Sequence, residues 1–311
     1  MAWLRRFAGV PLLLLGAATV VFFMIHLVPG DPAAAMLGEG AAPSDVAALK
    51  AQLGLDKPIP VQYLSWLKGL FTGDLGMSLL SRRKVVVEIG NALPATASLA
   101  VAAFLAALLI AVPTGLLSAY HRGRPADSVL RLVSLLGVST PNYVSGPLLV
   151  LLFSVTLGLL PVSGRDQPGA LILPAATMGL SMAALLSRMI RASVAEELSR
   201  PYVLAARARG ETSWGAALAH AARNALPPVL VVAGLQFGSL LTGAVVTETI
   251  FSWPGVGRLL VQSIQRRDYP MVQGCVLFIA ATYVVVNALV DAMAARLDPR
   301  AAARKSREAR A

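Results

Sequence analysis

Histidine and cysteine are the residue types here best suited to bind a transition metal or to act in catalysis. His26, His121 and His220 lie in three different segments. They lack the His-x-x-x-His spacing that sets two imidazoles on one helix face for zinc. Cys275 is the only cysteine, which excludes an intramolecular disulfide and a cysteine metal cluster. No Gly-Lys dipeptide occurs, so the chain has no Walker loop for nucleotide phosphates. We therefore predict no metal site, no bound cofactor and no ATPase site in this chain.

A serine nucleophile is the remaining catalytic candidate. The sequence Gly137-Val138-Ser139-Thr140 contains a Gly-x-Ser triplet within an apolar run, as in some intramembrane hydrolases. Such triplets are common by chance, and no histidine in a neighbouring apolar run is placed to serve as the base. An intramembrane enzyme remains an alternative, but we predict that the chain is not an enzyme.

Polar side chains inside apolar runs point to a different chemistry, the passage of a solute. Because polar groups are costly in lipid, they are functional candidates by default. Asn142, Gln236 and Asn287 are candidate pore-lining residues, with helix packing as the alternative. Asn142 directly follows Pro141, where a broken helix would expose backbone to a substrate path.

The elements that position these residues must lie in a membrane. Hydrophobic residues make up 56% of the chain and charged residues only 14%, whereas a soluble domain carries about 25% charged residues. The net charge is +11, but the cations sit between apolar runs rather than in one stripe with aromatics. We therefore predict a membrane protein in contact with lipid, and no nucleic-acid partner.

Six stretches meet or approach the roughly 20 apolar residues needed to cross a bilayer. They are Phe7–Val28, Thr96–Tyr120, Leu132–Leu160, Leu171–Ile190, Val229–Ile250 and Cys275–Val290. The first is too long for a signal-peptide core, so we expect an uncleaved helix. Pro141 and Pro147 predict a kink or break in the third.

The fold class is thus an all-α membrane protein of about six transmembrane helices. Most Lys and Arg of the short segments fall on one side, which predicts that both termini are cytoplasmic. We divide the chain into an N-terminal helix (1–29), an external segment (30–95), a five-helix core (96–295) and a cytoplasmic tail (296–311). In the external segment we expect one helix capped by Ser44 and ending near Gly54, and a second over Gln62–Leu70.

The cytoplasmic loop Arg191–Pro227 between the fourth and fifth spans is long and helix-prone. Gly210 fits a left-handed residue that ends one short helix, and Thr212 or Ser213 can cap a second. Two short helices joined at a glycine would form a compact knob, and Ala205 and Ala206 would allow close approach of a partner. The alternative is a merely solvated basic loop. The residues alone leave the two interpretations open.

This loop resembles the Glu-Ala-Ala…Gly motif by which permeases of binding-protein-dependent importers dock on their ATPase subunits. Ala205, Ala206 and Gly210 match that motif, whereas Leu204 replaces its Glu and Leu226-Pro227 arrives late. Both departures are similar to the peptide/nickel/opine branch of the family. That branch's pattern is matched at Tyr202, Ala206, Arg207, Ala208, Arg209 and Gly210, and by His220, Arg223 and Asn224 further on.

Other short patches resemble the same branch and extend the resemblance over nearly the whole chain. They are Pro29–Pro32, Leu53–Asp56, Gly73–Gly76, Leu93–Thr96, Glu248–Gly257, Arg267–Pro270 and Asp298–Arg300. Each is weak alone, but their order and spacing together are specific.

The resemblance implies an inner-membrane permease subunit of an ATP-binding-cassette importer, of the dipeptide/oligopeptide permease B type. It implies a second, homologous permease, two cytoplasmic ATPases that bind ATP, and an extracytoplasmic substrate-binding protein. It also implies that Tyr202, Ala205, Ala206, Arg207, Arg209 and Gly210 form the ATPase-coupling loop. Peptides, including glutathione-like ones, are the favoured substrates, and nickel or a metal–opine chelate is the alternative. A stand-alone channel or secondary carrier is the alternative from another class.

Overall fold

The computed structural model describes residues 2–27, 31–38 and 40–297. Within these ranges the regular structure is helical, apart from a single antiparallel bridge between Met77 and Lys84. The predicted all-α membrane fold is confirmed. Part of the Pro29–Pro32 patch, the Asp298–Arg300 patch and most of the predicted tail lie outside the described residues.

Thirteen α-helices account for most of the described chain. They are α1 Ala2–Met24, α2 Pro32–Leu37, α3 Pro43–Leu53, α4 Ile59–Phe71, α5 Val85–Tyr120, α6 Pro125–Ser139, α7 Asn142–Leu149, α8 Ile172–Glu197, α9 Pro201–Ala208, α10 Ser213–Ala216, α11 Arg223–Ile250, α12 Val256–Gln265 and α13 Tyr269–Leu297. A short 3-10 turn, Ile25–Leu27, follows α1, and π-helical stretches occur at Val150–Thr156 and Ala217–Ala222.

Five helical segments of the described chain are long and apolar enough to cross a membrane, and a bent pair brings the number to six. Helices suit this role because every backbone N–H and C=O inside lipid must be bonded within the segment. The five are Val10–Leu27, Val85–Tyr120, Ile172–Glu197, Trp214–Leu241 and Tyr269–Met293. The bent pair is α6 with the segment Asn142–Thr156.

The bend between α6 and α7 measures 106°. It falls at Pro141, which lacks an N–H and disfavours a helical conformation at Thr140 before it. The predicted break is confirmed at this proline, while Pro147 lies inside α7.

Helix α3 begins at a different residue from the one that the sequence predicts. It begins at Pro43, after Ala42, so the prediction that Ser44 caps it is wrong. Proline suits the first helical position because its missing N–H would have no partner there. The predicted end is confirmed, since Gly54 takes a left-handed conformation with φ +67°.

The chain folds into two compact units, which α5 and α13 both pass through. The first comprises residues 1–96 with 254–285, and Val85, Ile89, Val256, Met271 and Cys275 are buried together in it. The second comprises residues 97–253 with 286–311. Its central element is α8, because 61% of the apolar span of this helix is buried, and α6, α7 and α11 pack against it.

Candidate functional site

The loop after α8 contains one short helix, α9, which a turn at Gly210 joins to a long helical segment. The prediction of a second short helix is wrong, because α10, the π-helical stretch Ala217–Ala222 and α11 follow one another without a break up to Ile250. Helix α8 ends at Glu197, and α9 begins at Pro201, where no backbone N–H is needed. Gly210 has φ +98°, a conformation that L side chains rarely adopt. Thr212 Oγ1 then accepts a hydrogen bond of 3.0 Å from the N–H of Gly215, which caps α10.

Helix α9 has one buried and one exposed face. Val203 and Ala206, three residues apart, have no exposed surface and pack on their own chain. Leu204, Ala205 and Ala208 are exposed on the opposite side, and Leu204 has 54% of its surface exposed. We call these three residues the coupling face. Of the two alanines expected to approach a partner, Ala205 therefore belongs to this face, whereas Ala206 points inward.

Ion pairs and hydrogen bonds hold α9 against the end of α8. The Tyr202 hydroxyl donates to the Glu197 carboxylate, and Arg200 Nη2 lies 2.8 Å from Glu196 Oε1. Burial, and secondly the Glu197 carboxylate, raise the pKa of Tyr202 above its usual value, so the phenol keeps its proton and remains a donor. On the other side of the turn, Glu211 pairs with His220 at 3.0 Å.

A buried ion pair near the end of α8 was missed by sequence reasoning. Asp127, near the start of α6, is only 1% exposed and accepts hydrogen bonds from Arg191 Nε at 2.7 Å and Nη2 at 2.8 Å. Ser118 Oγ and the Gly123 N–H also donate to this carboxylate, at 2.6 and 3.1 Å. The pair thus ties together the end of α5, the start of α6 and the last turns of α8. We call it the Asp127–Arg191 clamp.

The sequence gave little signal for this clamp. Asp127 is the only acid among the cations of residues 121–131, and that isolation is a weak hint. Arg191 was interpreted only as one of the charges that set the orientation of the protein in the membrane. Its partner lies 64 residues away, a separation that no helical period predicts.

Two of the three predicted pore residues lie together. Asn142 and Gln236 line one cavity of about 330 Å³ in the second unit. Ser181 and Ser239 share its wall, and Ser181 Oγ donates to Asn142 Oδ1 at 3.2 Å. The cavity therefore presents amide and hydroxyl groups, and Asn142 is at the helix break. Asn287 lies elsewhere, with its amide oxygen against Gly238 of α11.

The titratable side chains of the described ranges are not gathered into a metal site. No group of three His, Cys, Asp or Glu side chains with metal-binding geometry occurs among residues 2–27, 31–38 and 40–297. His26 contacts Gln62, His121 contacts the Leu117 carbonyl and His220 contacts Glu211. A helical membrane bundle has here a cavity lined by amides, hydroxyls and apolar side chains, and an exposed short helix that follows the most buried of its described spans. This is the arrangement expected of a transport permease.

Comparison with known proteins agrees with this class. Residues 111–303 match the family described as the binding-protein-dependent transport system inner membrane component, and residues 2–100 match the N-terminal region of such components. The chain belongs to this family. It is a multi-pass inner-membrane permease of an ATP-binding-cassette importer, and the predicted resemblance is confirmed.

Named relatives match almost end to end. The dipeptide transport system permease protein DppB of Escherichia coli (strain K12) is 40% identical, covering 96% of this chain and 97% of that protein. The glutathione transport system permease protein GsiC of Salmonella choleraesuis (strain SC-B67) is 39% identical, covering 95% and 97%. Membership of this family implies partnership with ATPase and substrate-binding components.

Solved structures share the fold. A chain of the inward-facing MetNI methionine ABC transporter has a TM-score of 0.52 and 15% identity, covering 68% of this chain and 96% of that one. A chain of an amino acid ABC transporter crystallised with histidines has a TM-score of 0.52 and 20% identity, covering 68% and 94%.

Proposed function

We propose that this chain forms half of the translocation pore of an ATP-driven importer for small peptides, di- or oligopeptides or glutathione-like compounds. A second, homologous permease supplies the other half, and an extracytoplasmic protein delivers the substrate. Two cytoplasmic ATPases bind and hydrolyse ATP, so this chain has no catalytic activity and needs no cofactor of its own. Similarity to permeases named for dipeptide and glutathione transport supports the substrate class.

The coupling face of α9 is the observation that carries this proposal. A leucine with 54% of its surface exposed, next to two small alanines on the same face of a helix, is suited to sit in an apolar groove of another protein. The face is held by the contacts of Tyr202 and Arg200 and by the left-handed turn at Gly210. It can therefore transmit a displacement as a rigid body. We infer that Tyr202, Ala206, Arg207, Arg209 and Gly210 shape this knob, while Leu204, Ala205 and Ala208 meet the ATPase.

The cavity lined by Asn142 and Gln236 is the proposed substrate path. Neutral amides and hydroxyls can donate to and accept from peptide groups without binding any one side chain tightly. This suits a pore that releases its substrate, with selectivity left to the binding protein. Asn287, which lies against Gly238, is assigned to helix packing instead of the path.

Reconstitution of the complete transporter in liposomes tests this function. We expect uptake of a labelled dipeptide or of glutathione that requires ATP and the binding protein, and competition by peptides but not by nickel salts. ATP-independent uptake by this chain alone would refute the proposal in favour of a channel or carrier. Competition by nickel and not by peptides would refute the substrate class.

Substitution of Leu204 tests the coupling face directly. Leu204→Asp places a charge in a contact that excludes water, which costs several kcal/mol unless the charge is paired. We expect loss of uptake and of substrate-stimulated ATPase activity at normal membrane abundance. Leu204→Met keeps volume and apolar character, and is the matched control that should retain both activities. Normal uptake by Leu204→Asp would contradict the assignment.

A further inference from the structure

Gly243 lies on the wall of the cavity that Asn142 and Gln236 line. The part of this wall that belongs to α11 consists of Gln236, Ser239, Leu240 and Gly243. These four residues recur at intervals of three and four, so they form one face of the helix. Because glycine has no side chain, the backbone of α11 itself forms the wall at position 243.

The other two glycines of α11 have a packing role. A Cβ at Gly234 would lie 2.9 Å from Cγ1 of Val290, and one at Gly238 would lie 3.3 Å from Cγ1 of Val286. These two glycines therefore allow α11 and α13 to approach closely. A Cβ at Gly243 would instead point into open space in the described part of the chain.

The glycine at position 243 therefore needs a different reason. Glycine disfavours the interior of a helix because it loses the most backbone freedom there. Gly243 lies within a regular α-helix, a conformation that residues with a side chain adopt readily. Glycine also allows a backbone to come close to a ligand, and the cavity is the space that Gly243 faces.

The size of the cavity makes each added side chain matter. Its volume of about 330 Å³ is at the lower end of the range of about 300–1,000 Å³ for sites that hold small ligands. Helix α8 contributes Met178, Met182 and Leu185 to the same wall. Methionine is flexible and polarizable, so it adapts to apolar groups of different shape. The wall thus combines adaptable side chains from α8 with a bare stretch of backbone from α11.

We propose that Gly243 determines the size of the peptide side chains that the path admits, and that its missing side chain lets dipeptides with bulky apolar side chains pass. The inference rests on the proposed function, because it requires that peptides move through this cavity. A larger residue at position 243 should narrow the path from the α11 side. Small peptides should still pass, whereas bulky ones should not.

Uptake of two dipeptides by the complete transporter in liposomes tests the proposal. Diglycine is the small substrate and diphenylalanine the bulky one, and each variant is compared with the wild type for the same dipeptide, so that delivery by the binding protein cancels. With Gly243→Leu we expect uptake of diphenylalanine to fall about tenfold or more and that of diglycine by less than about twofold. Gly243→Ala should reduce diphenylalanine uptake by a smaller factor.

Two other glycines provide matched controls. Gly16 lies in α1, outside the cavity, and a Cβ there also points into open space, so Gly16→Leu should leave both uptakes unchanged. Gly234→Ala crowds Val290 and should lower the abundance of the protein. At matched abundance, however, it should leave the ratio of the two uptakes as in the wild type.

Chemical modification after assembly separates a narrowed path from a folding defect. Cys275 is the only cysteine and is buried, so Gly243→Cys introduces one accessible thiol in this chain. Methyl and benzyl methanethiosulfonate attach a small and a large group to it, and the treated wild type corrects for cysteines of the other subunits. The benzyl group should block diphenylalanine uptake much more strongly than the methyl group does.

Several results would overturn the proposal. They are equal effects of Gly243→Leu on the two dipeptides, equal effects of the two reagents, and a wild type that takes up diglycine but not diphenylalanine. Loss of the second permease from purified Gly243→Leu complexes would assign the glycine to the contact between the permeases instead. If the wild type takes up neither dipeptide nor any other peptide, the proposed function itself fails, and this inference fails with it.

Discussion

The Asp127–Arg191 clamp predicts a large and non-additive loss of stability when either partner is removed. In Asp127→Asn the side chain keeps one acceptor oxygen and turns an NH₂ group towards a donor, so one Arg191 N–H loses its bond. The guanidinium is then left partly buried without a counter-charge. Removing one member of a buried pair costs about 3–5 kcal/mol. Because the Arg191 side chain is 22% exposed, we expect about 2–4 kcal/mol here.

Arg191→Met should cost a similar amount, since it strands the Asp127 carboxylate, which would retain only its bonds to Ser118 and Gly123. The double variant leaves neither charge buried. It should therefore cost about 1.5–3 kcal/mol less than the sum of the single variants. Arg131→Met is the control, because Arg131 lies 3.8 Å from Asp127 and is 54% exposed. Its cost should stay below about 0.5 kcal/mol.

Unfolding in detergent with increasing dodecyl sulfate measures these four variants against the wild type. The transport assay then reports whether the clamp also matters for coupling at matched abundance. Additivity of the two single substitutions within about 0.5 kcal/mol would show that the side chains do not act as a pair. Single losses below about 1 kcal/mol would refute the claim that the pair stabilises this end of the bundle.

Two further predictions concern the coupling loop and the topology. Gly210→Val should abolish uptake, whereas Gly210→Asn should retain part of it, because asparagine tolerates a positive φ better than a β-branched residue does. The φ of +98° is the limiting factor and not a clash, since a Cβ at this position would meet nothing within 4 Å. Equal uptake by the two variants would contradict this reason. Since Cys275 is the only cysteine and is buried, single cysteines can be introduced without removing it. Lys57→Cys should react with an impermeant maleimide in intact cells and Arg209→Cys only after permeabilisation, and reaction of both from one side would refute the orientation with both termini inside.

Much of the fold follows from composition and from proline and glycine, whose backbone preferences differ from those of the other residues. The apolar runs predict the spans because lipid leaves the backbone few alternatives to a helix. Pro141 predicts the break because its ring fixes φ and removes the N–H, and Gly210 predicts the turn after α9 because glycine adopts a positive φ without strain. Where two local signals compete, as at Pro43 and Ser44, the proline at the first helical position determined the start of α3.

Contacts between distant helices could not be predicted in this way. Asp127 and Arg191 are 64 residues apart, and only packing brings them together. Helix α9 is eight residues long and contains alanines on both faces, so its apolar pattern does not reveal that Ala206 faces inward. Asn287 and Gln236 have the same chemistry in similar apolar runs, yet only Gln236 lines the cavity.

Helix α8 connects all parts of the candidate site in the second unit. Its end continues into α9, Arg191 lies six residues before that end, and Ser181 lies ten residues earlier, about 15 Å along the axis. Ser181 bonds to Asn142 at the Pro141 break, so one stiff, mostly buried helix runs from the coupling loop to the cavity wall. Packed helices shift between discrete arrangements and do not deform continuously. A displacement of the coupling face must therefore move the Arg191 end and the Ser181 end of α8 together. Because the Asp127–Arg191 clamp ties the start of α6 to α8, we expect α6, which ends at the same break, to move with α8.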